Sequence, residues 1–170
     1  EGNFGLTSKL LDALKLHKNK APILLSSSTQ AMLDNPYGRS KKAAEELVFD
    51  YARETGAKVM VYRFPNVFGK WCRPNYNSVV ATFCHNIAHE LPITVRDPDA
   101  GLTLAYIDDV VAEVIRALNG EENRAGEFCA VPLTYSVTLG KLADLICGFK
   151  ASRKKRSIPD MSDEFSKKLY

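Results

Sequence analysis

Three residues near the start of the chain have the types and spacing of a proton-transfer site. Tyr37 and Lys41 lie four positions apart in the run PYGRSK, so on a helix their side chains share one face. A nearby ammonium favours the phenolate form of a tyrosine, which suits it to exchange a proton with a sugar or alcohol oxygen. Ser28 ends an apolar run, where its hydroxyl could hold the same oxygen and orient the tyrosine.

The setting of this motif carries more information than the motif itself. A tyrosine and a lysine four residues apart also occur on ordinary solvent-exposed helices, so the pair alone is weak evidence. Here the pair opens a predicted helix, follows a predicted strand that ends in three serines, and precedes a strand that ends in Arg63-Phe64-Pro65-Asn66. That setting favours the catalytic interpretation over an exposed pair.

The elements that would position these residues form a βαβ unit. Hydrophobic spacing and turn residues predict a helix over 4–17, a strand over 22–28, a helix over 37–55 and a strand over 58–64. Asp34-Asn35-Pro36 marks the start of the second helix, and Gly56 stands where a C-terminal cap belongs. A strand, a helix and a strand with short connections imply a parallel sheet.

Further elements are predicted beyond this unit. The spacing predicts helices over 78–90, 107–118 and 139–149, and short strands over 92–95 and 126–131. The last twenty residues are charged and weakly patterned, which suits a linker or a terminal helix.

Composition excludes several classes of function. Apolar residues make up 45% and charged residues 25% of the 170, which is ordinary for a globular domain. No apolar run approaches the ~20 residues of a membrane helix, and a net charge of +3 is too small to indicate nucleic-acid binding. The four cysteines lack ligand spacing, so no metal is expected and reduced thiols are predicted. The neighbours Cys84, His85 and His89 are interpreted as polar helix residues, and the basic run 153–156 as a solvated helix face or linker.

Four runs of the sequence carry a resemblance to a known family. ILLSSS, PYGRSK, RFPNVFGKW and IDDVVAEV, in this order, resemble the extended short-chain dehydrogenase/reductases of the NAD-dependent epimerase/dehydratase family, over most of residues 3–118. The resemblance implies an α/β fold: the C-terminal part of a Rossmann-type parallel sheet with helices on both faces, plus small substrate-binding elements. It also implies an NAD(P)-dependent oxidoreductase, bacterial and cytoplasmic.

The resemblance implies roles for individual residues. The catalytic set would be Ser28, Tyr37 and Lys41. The cofactor would be contacted by Ser27, Tyr37, Lys41 and the backbone near Phe64. The nucleotide-sugar substrate would be contacted by Asn66, Arg73, Asn77, Ser78 and Val79, although each of these five also suits an ordinary loop or helix start. Leu102 stands where many family members have a diphosphate-binding arginine, so Arg73 or Lys70 would have to supply that charge.

A narrower similarity concerns residues 70–84 and the short segment between Ser28 and Tyr37. Both are most similar to reductases of capsular polysaccharide synthesis, which carry a C-terminal cupin domain. This similarity implies NADPH, or else NADH, as reductant and the C4 ketone of a UDP-linked 6-deoxy-N-acetylhexosamine as substrate. The resemblance to the wider family implies a homodimer built on helices 4–17 and 37–55. The implied segments are 1–73 as the catalytic half of the Rossmann domain, 74–150 as substrate-binding and remaining Rossmann elements, and 151–170 as a linker or terminal helix before the cupin.

The residues after Ser28 bear on the type of reaction. A 4,6-dehydratase of this family needs an acidic pair there, but the chain has Thr29-Gln30-Ala31, without a titratable group. This favours ketone reduction with Tyr37 as acid, or a 4-epimerase that uses the same tyrosine twice. Cys72 could be a second acid, although a packed loop thiol is the simpler interpretation. A non-catalytic binding module on a degenerate reductase fold is the remaining alternative.

The glycines do not form the turn that would hold the cofactor's pyrophosphate. The family's pocket opens with GxxGxxG between a strand and a helix, and no three glycines of this chain fall within seven residues. We therefore expect the chain to be a fragment without the N-terminal half of the Rossmann domain. By itself it should bind NADPH poorly and be inactive.

Overall fold

The computed structural model describes the backbone of residues 2–170 and the side chains from Phe4 onward. Its helices are α1 Gly2–Leu16, α2 Pro36–Thr55, α3 Val79–Ala88, α4 Ile107–Leu118, α5 Leu139–Lys155 and α6 Glu164–Leu169. Its strands are β1 Ile23–Ser28, β2 Val59–Phe64, β3 Asn66–Phe68, β4 Gly101–Tyr106, β5 Arg124–Ala125, β6 Phe128–Cys129 and β7 Tyr135–Thr138. The chain forms two compact units, one of residues up to 65 with Ala112–Pro132 and one of Asn66–Val111 with Leu133–Tyr170.

The first unit is built on a four-stranded sheet in the order β1-β2-β6-β5. β1 and β2 run parallel along their whole length, from Ile23 opposite Val59 to Ser28 opposite Phe64. β6 is parallel to β2, and β5 is antiparallel to β6. The connection from β1 to β2 is α2, so the predicted βαβ unit is present.

Side chains of this sheet alternate between two packed faces. Val61 lies in one cluster with Val48 of α2, whereas the next residue, Tyr62, lies in another cluster with Ala117 of α4. Successive residues of a strand point to opposite faces, and here each face meets a helix. The predicted α/β architecture, a parallel sheet with helices on both faces, is confirmed.

The ends of α2 are fixed by local chemistry. Asn35 is the N-cap, and its side-chain oxygen accepts a hydrogen bond of 2.7 Å from the Gly38 amide, while Pro36 occupies the first turn. Gly56 ends the helix in the left-handed region at φ 70°, where a glycine carries no steric penalty. Both predicted signals, Asn35-Pro36 and Gly56, are confirmed.

The second unit contains a three-stranded sheet in the order β3-β4-β7, with β3 parallel and β7 antiparallel to β4. Helices α3 and α5 supply most of its apolar core, together with α6 at the end of the chain. The core side chains buried here are Phe68, Val80, Phe83, Ile87, Leu104, Val137, Leu142, Ala143, Ile146, Phe165 and Leu169.

Several sequence expectations for the chain after β2 need correction. Residues 92–95 form no strand, since this apolar run has no ladder partner among the described residues. Strands β3, β4 and β7 were not predicted. β3 was missed because only Pro65 separates it from β2, and β4 was missed because its two partner strands, β3 and β7, are distant in the sequence. The predicted strand over 126–131 is limited to β6, and α5 continues six residues beyond its predicted end.

The last residues of the chain include a short helix. Within 156–170, α6 forms near the C-terminal end and places Phe165 and Leu169 in the core. The predicted segment boundaries at 73 and 150 stay a prediction. Among residues 2–170 no helix is long and apolar enough to cross a membrane.

Candidate active site

Ser28 lies at the carboxyl end of β1, where the strand gives way to a short 3₁₀ turn, Thr29–Met32. Its backbone is extended, and its hydroxyl oxygen accepts a hydrogen bond of 3.2 Å from the amide of Gln30. The hydroxyl hydrogen is left to donate to a further group. Ser28 therefore has the position and the donor that the sequence predicts for holding a substrate oxygen.

Tyr37 lies in the first turn of α2, and that turn packs directly on the segment that follows Ser28. The contact is made at Gly38: a Cβ atom there would lie 2.3 Å from the Gln30 carbonyl oxygen and 2.4 Å from that of Leu33. No residue with a side chain fits this approach. The side chain of Tyr37 is 47% exposed, so its phenol is accessible to a ligand.

Lys41 lies one turn further along α2 and is half-buried. Its ammonium donates a hydrogen bond of 3.1 Å to the Ser26 carbonyl oxygen and stands 5.8 Å from the centre of the Tyr37 ring. The lysine is therefore tied to β1 as well as to its own helix. This geometry places a positive charge beside the tyrosine, as the YxxxK spacing predicts.

A buried carboxylate, Glu45, follows Lys41 by one turn of α2. Glu45, only 2% exposed, accepts hydrogen bonds from the Ser27 hydroxyl and from the Arg63 guanidinium, with 2.6 Å between an Arg63 terminal nitrogen and Glu45 Oε2. The hydrogen bonds to Glu45 raise the pKa of Arg63. Sequence reasoning missed Glu45, although an acidic residue on the apolar face of a helix, one turn after Lys41, was a usable signal.

The remaining predicted cofactor residues also lie in the first unit. Phe64 ends β2 beside Ser28, and its ring stacks on Tyr62 at 5.4 Å between centres. The Ser27 hydroxyl is directed into the fold at Glu45. Their contacts with a cofactor stay predictions.

The predicted substrate residues lie in the second unit. Asn66, Arg73 and Asn77 are exposed, and the Arg73 guanidinium is 5.8 Å from the centre of the Tyr76 ring. Ser78 is the N-cap of α3, and its side chain accepts a 3.2 Å hydrogen bond from the Ala81 amide. Val79 is the first residue of α3. This geometry gives Ser78 a structural task and leaves the polar groups of the exposed residues available for a ligand.

The two cations proposed to replace an arginine at Leu102 differ in their surroundings. Lys70 pairs with Asp108 at 2.7 Å, and this hydrogen bond lowers the pKa of Asp108. Arg73 is exposed, and among the described residues its guanidinium stands beside the Tyr76 ring and in no salt bridge. Leu102 itself is partly buried against the core of its unit. Arg73 is accordingly the better placed cation for an anionic ligand.

Cysteine and histidine side chains form no metal site in the described part of the chain. No group of three or more candidate ligands is present among these residues. The His85 and His89 rings are 4.3 Å apart on α3, and His89 Nδ1 contacts the His85 carbonyl oxygen at 2.8 Å. Burial raises the pKa of the Cys84 thiol.

Comparisons with known proteins bear on the family and the fold of the chain. The profile of the NAD dependent epimerase/dehydratase family matches residues 1–131. A UDP-2-acetamido-2,6-beta-L-arabino-hexul-4-ose reductase of Pseudomonas aeruginosa is 41% identical over 169 residues, which are 99% of this chain and 45% of that protein.

Solved structures extend the comparison to the fold. The capsular polysaccharide assembling protein CapF from Staphylococcus aureus superposes with a TM-score of 0.91 at 49% identity, over 96% of this chain and 45% of that one. A UDP-N-acetylglucosamine 4-epimerase from Methanobrevibacter ruminantium shares the fold, with a TM-score of 0.79 at 19% identity, over 98% of this chain and 66% of that one. The predicted Rossmann-type fold is confirmed. The chain spans about half the length of the reductase and of CapF.

Proposed function

Because the chain belongs to the NAD dependent epimerase/dehydratase family, we propose that it carries the proton-transfer half of a nucleotide-sugar reductase. The reaction is reduction of the C4 ketone of a UDP-linked 6-deoxy-N-acetylhexosamine. The observation that carries the proposal is the placement of the three residues: Ser28 ends β1, Tyr37 and Lys41 lie in the first two turns of α2, and the Lys41 ammonium bonds the Ser26 carbonyl oxygen. The similarity to a relative named for reducing a UDP-linked 4-ulose supports this choice of substrate.

The proposed mechanism assigns one task to each of these residues. The Ser28 hydroxyl donates a hydrogen bond to the C4 carbonyl oxygen of the sugar and holds it beside the phenol. As C4 receives a hydride, the Tyr37 hydroxyl transfers its proton to that oxygen, which yields the alcohol and leaves a phenolate. The Lys41 ammonium stabilises this negative charge. No second acid or base is needed, which fits the sequence Thr29-Gln30-Ala31 after Ser28.

A nicotinamide cofactor, NADPH or NADH, supplies the hydride when bound. The residues present fit one end of it: Lys41, half-buried beside Tyr37, would bond the ribose, and the backbone near Phe64 would meet the carboxamide. The glycine-rich turn that receives the pyrophosphate in this family is not among the 170 residues.

We also propose a homodimer with α1 at its interface. α1 lies beside α2, yet it keeps Phe4, Leu6, Leu10 and Leu16 exposed, Leu6 at 72% and Leu10 at 52%. Leu6 and Leu10 are one helical turn apart and share a face. A second copy of this helix pair would cover that apolar face. Cytoplasmic location and a following cupin domain belong to the same proposal, by similarity to the capsular polysaccharide proteins.

The test is a turnover assay on the full-length gene product. With a UDP-linked 4-keto-6-deoxy-N-acetylhexosamine and NADPH or NADH, we expect stoichiometric loss of absorbance at the reduced nicotinamide band. Tyr37→Phe should lower kcat by about 100- to 10,000-fold, the usual contribution of a general acid. The matched control is Tyr170→Phe, which removes the hydroxyl of another exposed tyrosine and should leave kcat unchanged.

Each alternative gives a different result in the same assay. A 4-epimerase would interconvert two UDP-sugars without net consumption of the reduced cofactor. A binding module would retain the sugar nucleotide without turnover. For such a module, Tyr37→Phe would change neither the binding of the sugar nucleotide nor the absence of turnover. Full activity in Tyr37→Phe would refute the assignment of the acid.

A further inference from the structure

Glu45 is a buried charge that the proposed mechanism does not use. Its carboxylate lies on the sheet-facing side of α2, one turn after Lys41, and is 2% exposed. Removing a carboxylate from water is costly unless hydrogen bonds and an opposite charge compensate. Arg63 supplies both, through Nε at 3.0 Å from Oε1 and a terminal nitrogen at 2.6 Å from Oε2.

The partners of Glu45 come from two neighbouring strands. Ser27 of β1 and Arg63 of β2 are directly opposite in the parallel register, and both side chains are directed at α2. The Cζ atom of Arg63 also lies 3.7 Å from the centre of the Phe128 ring of β6. A single carboxylate therefore joins the helix to the carboxyl ends of β1 and β2.

Each of the three consecutive serines at the end of β1 has a different contact or role. The Ser26 carbonyl oxygen accepts from Lys41, the Ser27 hydroxyl donates to Glu45, and Ser28 carries the hydroxyl of the proposed site. Because the strand backbone is extended and stiff, fixing Ser27 also fixes the residues on either side of it.

We propose that Glu45 is a positioning residue: through Ser27 and Arg63 it sets the end of β1 against α2, so that Ser28 meets Tyr37 and the Ser26 carbonyl meets Lys41. For its kinetic readout this inference rests on the proposed reductase function. A role in stability alone is the simpler alternative, but buried ion pairs are weak sources of net stability, and an apolar set of similar volume often serves as well.

The first experiment compares kinetics in the full-length gene product. In Glu45→Gln we expect kcat per folded enzyme to fall by about 10- to 100-fold, since misplacement by about 1 Å can cost 100-fold. KM for the UDP-sugar should stay within about threefold, because Glu45 touches none of the residues proposed to bind the nucleotide part of the substrate. With NADPH deuterated at the transferred position, the isotope effect on kcat should be at least as large as in the wild type, since hydride transfer is the step that slows.

The matched control is Glu122→Gln. Glu122 also bridges two basic side chains, Lys58 at 2.7 Å and Arg124 at 3.1 Å, but at the amino end of β2, away from the site. This variant should lose stability while kcat per folded enzyme stays as in the wild type. The folded fraction of each variant is taken from its urea denaturation curve.

A second, milder variant tests the same inference in case Glu45→Gln does not fold. Ser27→Ala keeps the Glu45–Arg63 pair and removes one hydrogen bond, so we expect a smaller fall in kcat of about 3- to 10-fold. Combined with Glu45→Gln it should add little, because residues that act as one unit are not additive.

A readout independent of turnover separates this inference from the proposed function. Backbone amides of 26–28 should exchange with deuterium faster in Glu45→Gln and Ser27→Ala than in Glu122→Gln. Unchanged exchange, or wild-type kcat in both folded variants, overturns the positioning role. An inactive wild type with the expected exchange pattern overturns the reductase assignment but not the inference that Glu45 holds the end of β1 against α2.

Discussion

At the scale of single residues, Lys41 shows that the spacing of a motif is only part of its geometry. The i, i+4 relation with Tyr37 places the ammonium on the correct face of α2. Its position on that face is then fixed by the Ser26 carbonyl oxygen, 3.1 Å away on β1. The charge beside the phenol therefore depends on a strand as well as on a helix.

Substitution of Lys41 tests this dependence. Lys41→Met should lower kcat by about 100-fold or more, because the phenolate loses its stabilising charge. Lys41→Arg should also lose most of the activity, since a planar guanidinium cannot make the same single contact with the Ser26 carbonyl. The exposed neighbour Lys42 gives the control, and Lys42→Met should keep wild-type kcat. Wild-type activity in Lys41→Arg would show that charge alone is sufficient.

At the scale of elements, the site depends on how closely α2 approaches the turn after β1. Gly38 permits that approach, because a Cβ atom there would overlap two carbonyl oxygens of the preceding segment. In an open helix, alanine is the better residue by about 1 kcal/mol. Close packing reverses this preference at position 38.

Gly38→Ala should therefore destabilise the protein by about 1–3 kcal/mol, the usual cost of overpacking, despite the gain in helix propensity. Gly148 is the matched control, because it lies within α5 with open space where a Cβ would stand. Gly148→Ala should stabilise by about 0.5–1 kcal/mol. Urea denaturation gives both values, and equal effects of the two substitutions would contradict the steric argument.

The ion pairs of Glu122 predict how the stability of the first unit responds to acid. The hydrogen bond from Lys58 lowers the pKa of Glu122 to about 2. In the unfolded chain the value is about 4.3, so between these values the unfolded state binds more protons and stability falls as the pH falls. The contribution is fully present above about pH 5 and absent below about pH 2.

The measurement is the urea midpoint from pH 7 to pH 2 for the wild type and Glu122→Gln. The wild type should have the higher midpoint at neutral pH, and the two curves should converge as the pH falls towards 2. A difference that is constant over this range would mean that the carboxylate of Glu122 contributes nothing through its charge.

The elements differ in how far sequence could predict them. α2 was predictable because its signals, Asn35, Pro36 and Gly56, act within a few residues of the helix ends. β4 was not, because its pairing with β3 and β7 joins segments more than thirty residues apart. The Glu45–Arg63 pair depends on strand register in the same way: the YxxxK spacing is local, whereas the opposition of Ser27 and Arg63 exists only in the folded sheet.

At the scale of the whole molecule, the chain offers proposed contacts for one end of the nicotinamide cofactor but no glycine-rich turn for its pyrophosphate. Lys41 is the residue that we propose for the ribose end of the cofactor, but no three glycines of the chain fall within seven residues to receive a pyrophosphate. The 170-residue chain by itself should then show no saturable change in NADPH fluorescence below about 1 mM, the upper end of ordinary KM values. A reductase with an intact glycine-rich turn is the positive control, and tight binding by this chain would contradict the expectation.

Assembly is the second property at this scale. If the exposed face of α1 forms the dimer interface, light scattering should give the molar mass of a dimer for the wild type and of a monomer for the double variant Leu6→Asp, Leu10→Asp. Ile158→Asp, at a 92% exposed position of the other unit, should remain dimeric. A monomeric wild type would show that α1 is not an interface between copies.

The anchor of Ser27, Glu45 and Arg63 has a consequence for the evolution of this fold. Ser27 and Arg63 both donate hydrogen bonds to Glu45, and loss of Glu45 leaves Arg63, whose side chain is 22% exposed, without its counter-charge. Removing one partner of a buried pair costs about 3–5 kcal/mol, which is a large part of the stability of an ordinary domain. A lineage can therefore exchange this trio for an apolar one only by passing through a weakened intermediate. The three positions should be inherited together or replaced together, as one heritable unit spread over three elements.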